Sequence, residues 1–332
     1  MTMRYDIAII GAGPAGIGIA VEARFAGIPK ERVLVLEKDQ NPCWSLRTQY
    51  PENKLVTANY KGYHNVVHDG VMRIVDMTKP ESLSYFADSI DSNDLNIRFG
   101  ETVSGVRRDH DGFIIITDKG EFHCRICVVA MGILGKPNRP EYKIPRTVRV
   151  KVHFNGVSTV IADSDILVVG GGDTAAERAV ELFSMNNRVT LSYRAGEFHR
   201  MTDDNRKTIE RMEKAGEITI LRNSNIVKVE REGVRPKITF AEPENSPMVF
   251  DRIFYCLGGN APVGFLKETG IEFDVDLPVL SDRFETSVPG LFLAGDLTAG
   301  TSGGSINWAF STARKSMTYI AESYLADVAA GA

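Results

Sequence analysis

Two segments of this chain repeat one design, and that repeat restricts the possible folds more than any other feature. Tyr5 to Ile10 is a short apolar run that ends in Gly11-Ala12-Gly13-Pro14-Ala15-Gly16. An alanine-rich helical stretch, Ile17 to Phe25, follows, and then a second apolar run, Arg32 to Leu36, ending at Glu37. About 160 residues further on, Asp165 to Val169 leads into Gly170-Gly171-Gly172-Asp173-Thr174-Ala175, a helix from Ala176 to Phe183, and a run from Arg188 to Ser192. Each segment reads strand, glycine turn, helix, strand, and both apolar runs suit strands buried on the two faces of a parallel sheet. The expectation is an α/β fold with two Rossmann-like units.

The glycines have separate physical tasks. Gly11 and Gly170 allow the tight turn, while Gly13 and Gly172 let the backbone approach a pyrophosphate. Gly16 and Ala175 are small, so helix and strand can pack closely. The phosphate then sits at a positive helix N-terminus, opened by Pro14 and Ala15 in one unit and by Asp173 and Thr174 in the other. Glycine-rich strand–helix turns also occur without a ligand, but two in the same context are a specific signal. The ends of the second strands distinguish the nucleotides. Glu37, followed by Lys38, is placed to accept hydrogen bonds from ribose hydroxyls, so the first unit suits FAD or NAD. The second unit has no carboxylate there and reads Ser192-Tyr193-Arg194, with Arg200 beyond. Guanidinium groups bind a 2′-phosphate that a carboxylate would repel, so this unit suits NADPH; the alternative for Arg194 and Arg200 is a solvated surface.

Two further strands point to FAD in the first unit. Cys127 to Gly132 is an apolar strand ending in glycine, and Leu291 to Asp296 is another, ending in Gly295-Asp296. Asp296 can accept from ribityl hydroxyls. A turn from Gly300 to Gly304 then leads through Ser305 into a helix starting near Ile306, whose N-terminal dipole suits the flavin pyrimidine. The last helical stretch is read as Ser311 to Ala326.

Composition removes other classes. A chain of 332 residues with 43% apolar and 25% charged residues is an ordinary globular protein of about two domains. A net charge of −4 gives no general electrostatic case for nucleic acid or an anionic membrane. Four cysteines make no disulfide framework, which favours a reducing compartment. No apolar run approaches the ~18 residues of a membrane span. The N-terminus enters a strand pattern directly, so a cytoplasmic protein is expected. The six histidines show no metal-ligand spacing, so no metal is expected, and no Ser-His-Asp signature is present.

In order and spacing, Gly11-x-Gly13-x-x-Gly16, Glu37, Val129-Ala130-Met131-Gly132, Gly170-x-Gly172-x-x-Ala175 and Phe292-Leu293-Ala294-Gly295-Asp296 resemble the two-dinucleotide-binding flavoproteins of low-molecular-weight thioredoxin-reductase type. The resemblance covers essentially the whole chain. It implies a discontinuous FAD domain, 1–145 and 258–332, with an NADPH domain, 146–257, inserted into it, and a homodimer. Thioredoxin reductases carry Cys-x-x-Cys just before the second glycine motif, where this chain reads Val152-His153-Phe154-Asn155-Gly156-Val157. Cys124-Arg125-Ile126-Cys127 has the spacing but opens a strand. Residues i and i+3 of a strand face opposite sides about 10 Å apart, too far for a disulfide.

Without the dithiol, the chain is similar to thioredoxin-reductase-like ferredoxin–NADP reductases. Gly135 to Pro145 and Tyr193-Arg194-x-x-Glu197-Phe198-x-Arg200 make it more similar still to flavodoxin–quinone reductases. In the ferredoxin reductases a Tyr before Pro stacks on the flavin. Tyr50-Pro51-Glu52 matches that motif, so Tyr50 is the candidate stacking residue, with an ordinary loop tyrosine as the alternative. Cys43 is either a reactive thiol near the flavin or a packed, inert one. Arg47, Lys54, Lys61 and Arg73 are locally basic and could receive an acidic electron carrier; a solvated face is the alternative. The expected function is electron transfer from NADPH through FAD to flavodoxin, ferredoxin or a quinone. The alternatives are a disulfide reductase acting on a low-molecular-weight disulfide and a non-enzymatic flavin and NADPH sensor.

Overall fold

The computed structural model describes residues 4–50, 55–59, 70–133, 138–154, 161–258, 262–275, 277–300 and 304–326. Its contacts divide the chain into two compact units, one of residues 1–47, 52–135 and 261–332, the other of 48–51 and 136–260. The first begins with β1 (Arg4–Ile10), α1 (Pro14–Phe25), β2 (Val33–Glu37) and α2 (Trp44–Gln49). Next come α3 (Lys79–Ser92), β3 (Ile97–Phe99), β4 (Val103–Asp109), β5 (Gly112–Thr117) and β6 (Glu121–Val129). The second unit contains β7 (Val152–His153), β8 (Asp165–Val169), α4 (Asp173–Ser184), β9 (Arg188–Ser192), α5 (Asp203–Lys214) and β10 (Ile218–Leu221). It ends with β11 (Ile226–Glu232), β12 (Arg235–Phe240), β13 (Met248–Val249) and β14 (Arg252–Tyr255). The chain returns to the first unit for α6 (Val263–Glu268), β15 (Leu291–Leu293) and α7 (Ile306–Ser323).

In the first unit the sheet order is β3-β2-β1-β6-β5-β4, and β15 also pairs with β6. β3, β2, β1, β6 and β15 run parallel. Alternate residues of β1 enter two different cores, as the period-2 geometry of a strand requires. Ile7 and Ile9 join Val35, Val128, Ile19, Ala313 and Met317 on the α1 and α7 side. Ala8 and Ile10 join Leu36, Val129, Ile115 and Leu293 on the other. Both helices of the glycine units start three residues before the sequence reading placed them. Pro14 can open α1 because the first helical N–H has no intrahelical acceptor. The closing helix is one element, Ile306–Ser323, capped by Ser305, whose Oγ accepts from Trp308 N at 3.0 Å.

The second unit repeats the arrangement as β10-β9-β8-β14-β7, parallel throughout. Ile166, Val168 and Leu191 pack with Ala179 of α4 and Ile209 and Met212 of α5. On the opposite face, Leu167, Ile253 and Tyr255 pack against Val229, Ile238 and Phe240 of the antiparallel β11-β12-β13 sheet. That small sheet covers the face where a crossover helix would otherwise lie. Among the described residues, no helix is long and apolar enough to cross a membrane.

Candidate functional site

The carboxyl ends of β1, β2, β6 and β15 meet at the first glycine turn. Gly11 N donates to Leu36 O at 2.8 Å, Ala130 N to Ile10 O at 2.9 Å, and Ala294 N to Val129 O at 3.0 Å. Gly11 has φ +107°, and a Cβ there would lie 2.8 Å from Ala130 O. At Gly16 a Cβ would fall 1.9 Å from Gly11 O. The fold itself therefore demands these two glycines. Gly13 is different. Its φ is −83°, which any residue adopts, and a Cβ there would meet nothing within 4 Å. The space at Gly13 is free for a ligand, as a pyrophosphate site requires.

Glu37 is buried at the end of β2, and its carboxylate holds the turn: Oε2 accepts from Ala12 N at 2.7 Å and Oε1 from Asp39 N at 3.0 Å. Each oxygen keeps a lone pair for a ribose hydroxyl. The Lys38 ammonium lies over the Trp44 ring, 4.5 Å from its centroid. Ala15 packs on Gly295, where an added Cβ would come within 2.8 Å of Ala15 Cβ, so Asp296 sits beside the α1 N-terminus. Gly304 closes over Asp296, since a Cβ at Gly304 would lie 2.1 Å from Oδ1. Burial raises the Asp296 carboxyl above its ordinary range. No described residue donates to it, and a desolvated carboxylate of this kind fits a ligand that brings hydroxyl donors. Ile306 N, in the first turn of α7, likewise has no described acceptor. These features fit a flavin dinucleotide. Gly132 (φ +67°) ends the strand extension of β6 with open space beside it.

In the second unit Gly170 (φ +152°) is demanded by Cys256 O, 2.4 Å from a Cβ built there. Gly172 has φ −113°, and its nearest neighbour would be Arg200 O at 3.8 Å. As at Gly13, the open space is not explained by the fold and fits a phosphate. Ala175 is fully buried under the turn, and Thr174 is exposed on the first turn of α4. Asp173 was expected among the nucleotide-binding residues. Its Oδ1 accepts from Thr202 N, Thr202 Oγ1 and Asn205 Nδ2 at 2.6, 2.7 and 2.9 Å. It pins the start of α5 beside the glycine turn.

The hydrogen bonds also shift one correspondence. Gly11 N donates to Leu36 O, and Gly170 N to Ser192 O, so the counterpart of Glu37 is Tyr193, not Ser192. Ser192 is buried, with Oγ 2.8 Å from Ser224 Oγ. The Tyr193 ring lies against Gly171, where a Cβ would come within 2.1 Å of it, and stacks on Phe198. An aromatic ring thus replaces the carboxylate. Arg194 and Arg200 are exposed, have no described partner, and flank the turn; Arg200 forms a backbone bridge with Gly172. We expect Arg194→Ala and Arg200→Ala each to raise the NADPH KM by the loss of ~1.5–3 kcal/mol, a charged hydrogen bond, with NADH little affected. Steady-state kinetics with both nucleotides checks this; equal effects on both would remove the phosphate assignment.

Tyr50 is half-buried just after α2, in the stretch 48–51 that groups with the second unit. Pro51, Lys54 and Lys61 lie outside the described residues. All four cysteines are described, and none is in a disulfide. Cys124 and Cys127 belong to one apolar cluster, and between them β6 exchanges its partner from β5 to β15. Burial pushes the Cys124 thiol up to about 12, and Cys127 well above the ordinary thiol range. Cys256 is likewise pushed up to about 12 by burial. Cys43 is buried and its thiol is also raised, although its backbone N–H donates to Ala12 O at 2.9 Å beside the turn. Thr312, whose Oγ1 accepts from Gly295 N at 3.1 Å, supports the site without any mark in the sequence.

A family model described as pyridine nucleotide-disulphide oxidoreductase matches residues 8–295. The ferredoxin–NADP reductase of Ignicoccus hospitalis is 27% identical over 298 residues, covering 88% of this chain and 90% of that protein. The ferredoxin–NADP reductase of a Bradyrhizobium species is 27% identical over 319 residues, covering 89% and 84%. Among solved structures, the bacillithiol disulfide reductase of Staphylococcus aureus superimposes with a TM-score of 0.81 at 21% identity, over 98% of this chain and 100% of that one. Thioredoxin reductase of T. acidophilum gives 0.75 at 22% identity, over 96% and 98%. With two open glycine cradles and a match that spans both, the chain belongs to the pyridine nucleotide-disulphide oxidoreductase family, as an NADPH-dependent flavoprotein oxidoreductase whose cofactors are FAD and NADPH.

Proposed function

We propose that this enzyme passes electrons from NADPH to a ferredoxin- or flavodoxin-type carrier, or to a quinone, without a redox-active dithiol. The observation that carries this reading is the state of the four cysteines: none is disulfide-bonded, and burial holds all four as thiols rather than reactive thiolates. The names of the curated relatives support the same acceptor class. One NADPH supplies two electrons and releases one proton, and two one-electron carriers take one electron each.

The first unit would hold FAD on Gly11, Gly13, Pro14, Ala15, Gly16, Glu37, Gly132, Gly295, Asp296, Ser305 and Ile306. The second would hold NADPH on Gly170, Gly172, Thr174, Ala175, Arg194 and Arg200. Bound FAD supplies the chemistry, accepting a hydride and releasing its electrons singly or as a pair. The protein's part is orientation. Glu37 fixes the turn that receives the pyrophosphate, Asp296 waits for hydroxyl donors, and the α7 N-terminus offers Ile306 N and its dipole to a site of developing negative charge. Asp173 keeps the Arg200 segment beside its turn.

The test is an acceptor panel with the purified protein. Cys124→Ser, Cys127→Ser and the double variant should reduce ferredoxin, flavodoxin or quinone at near wild-type rates. They should lose stability, by ~1–3 kcal/mol for each buried hydroxyl without a partner. Thioredoxin should be a poor acceptor. The second reading, a reductase of low-molecular-weight disulfides, draws on the position of Cys43 against the glycine turn. A Cys43→Ser variant that is still reduced by NADPH but transfers nothing onward would establish that reading in place of ours.

A further inference from the structure

Residues 139–151 of the second unit carry a row of cations without a carboxylate partner among the described residues. Arg139, Lys143, Arg146 and Arg149 are exposed and Lys151 is half-buried, while Glu141 is the one acidic residue among 139–151. None of the five makes an ion pair or side-chain hydrogen bond with a described residue. Elsewhere in the same unit the opposite habit prevails: Arg188 pairs with Asp165, Arg206 with Asp203, Arg222 with Glu213 and Lys237 with Glu232.

The row is also held rigidly. Asn138 N donates to Gly258 O at 2.9 Å and Asn138 Nδ2 to Leu257 O at 3.1 Å. Tyr142 and Tyr255 join their hydroxyls at 3.0 Å, and Val148 is fully buried among Val229, Ile238 and Phe240. The Arg139 guanidinium is parked over the Phe154 ring, 4.8 Å from its centroid. Pro140 and Pro145 further restrict the backbone. Near the end of the row, between Arg149 and Lys151, Val150 is 77% exposed. A fixed row of exposed, unpaired cations suits the docking of an acidic protein.

We infer that Arg139 to Lys151 is the docking surface for an acidic one-electron carrier protein. The inference rests on the acceptor reading above and deepens it by choosing a protein over a quinone. Charge complementarity selects the occupant: the chain as a whole carries −4, so only a local basic surface can attract an acidic carrier. The segment follows Gly132, a candidate cofactor residue, by seven positions along the chain.

The experiment compares the FAD-loaded wild type with Arg146→Glu/Arg149→Glu and with Arg146→Lys/Arg149→Lys, using an acidic ferredoxin, an acidic flavodoxin and the neutral quinone menadione. At low ionic strength the glutamate variant should raise the KM for the protein carriers about tenfold or more, with kcat retained and the salt dependence flattened or reversed. The lysine variant should restore carrier KM, and menadione reduction should be unchanged in all three. If wild type reduces the carrier and the glutamate variant does so with the same KM and salt dependence, the docking surface is wrong and the acceptor reading stands. If wild type reduces neither carrier, the acceptor reading itself fails. Loss of binding to a labelled duplex, with carrier KM unchanged, would also overturn the assignment and give the surface to a nucleic acid.

Discussion

Gly13→Val should purify as a colourless protein with the fold of the wild-type apoprotein. The wild type should absorb near ~450 nm and release FAD on denaturation. At position 13 the backbone is ordinary, and a Cβ would touch no protein atom within 4 Å, so the substitution strains nothing in the turn itself. The valine branches would fill the space reserved for the pyrophosphate. FAD affinity should fall at least about a hundredfold, some 2.8 kcal/mol. Circular dichroism and thermal melts of the two apoproteins should coincide, whereas a flavin titration should separate them. A yellow variant with normal loading would remove the first turn from the cofactor site.

Gly172→Val should separate the two nucleotides. The variant should keep its FAD and its yellow colour, be reduced normally by dithionite, and lose reduction by NADPH. The NADPH KM should rise about a hundredfold, again near 2.8 kcal/mol. The argument parallels that at Gly13: φ is −113°, and the nearest neighbour of an added Cβ is Arg200 O at an ordinary 3.8 Å. Gly172→Ala should give a smaller loss of the same sign. Stopped-flow reduction by NADPH is the measurement, and an unchanged rate would mean that the donor binds elsewhere.

The strand–turn–helix–strand units were readable because their signals are local. An apolar run, a glycine triplet and a small residue are neighbours in sequence, and their physics is settled within a few residues. What escaped is long-range. Nothing near Glu37 indicates that it also bonds Ala12 N, and nothing near Ser192 indicates that Tyr193 takes the equivalent place, because the strand registers decide both. Nothing near Asp173 indicates that Thr202 and Asn205, far along the chain, donate to it. The change of pairing partner between Cys124 and Cys127 is equally invisible in the local sequence. The β11-β12-β13 sheet went unread because β11 is heavily charged and β12, although it alternates, is short and carries Pro236.

The bond from Ala12 N to Glu37 has a practical consequence. The turn's shape belongs to the chain and not to its guest, since Glu37, Leu36 and Cys43 hold it through protein hydrogen bonds alone. With the dinucleotide seated on this turn as proposed, its removal should leave the socket's form unchanged, and refilling should require little ordering of backbone. Such an apoprotein is a vessel for chemically altered flavins. Fitting it with analogues of graded redox potential turns the enzyme into a tunable source of reducing power, with the same NADPH cradle feeding each version.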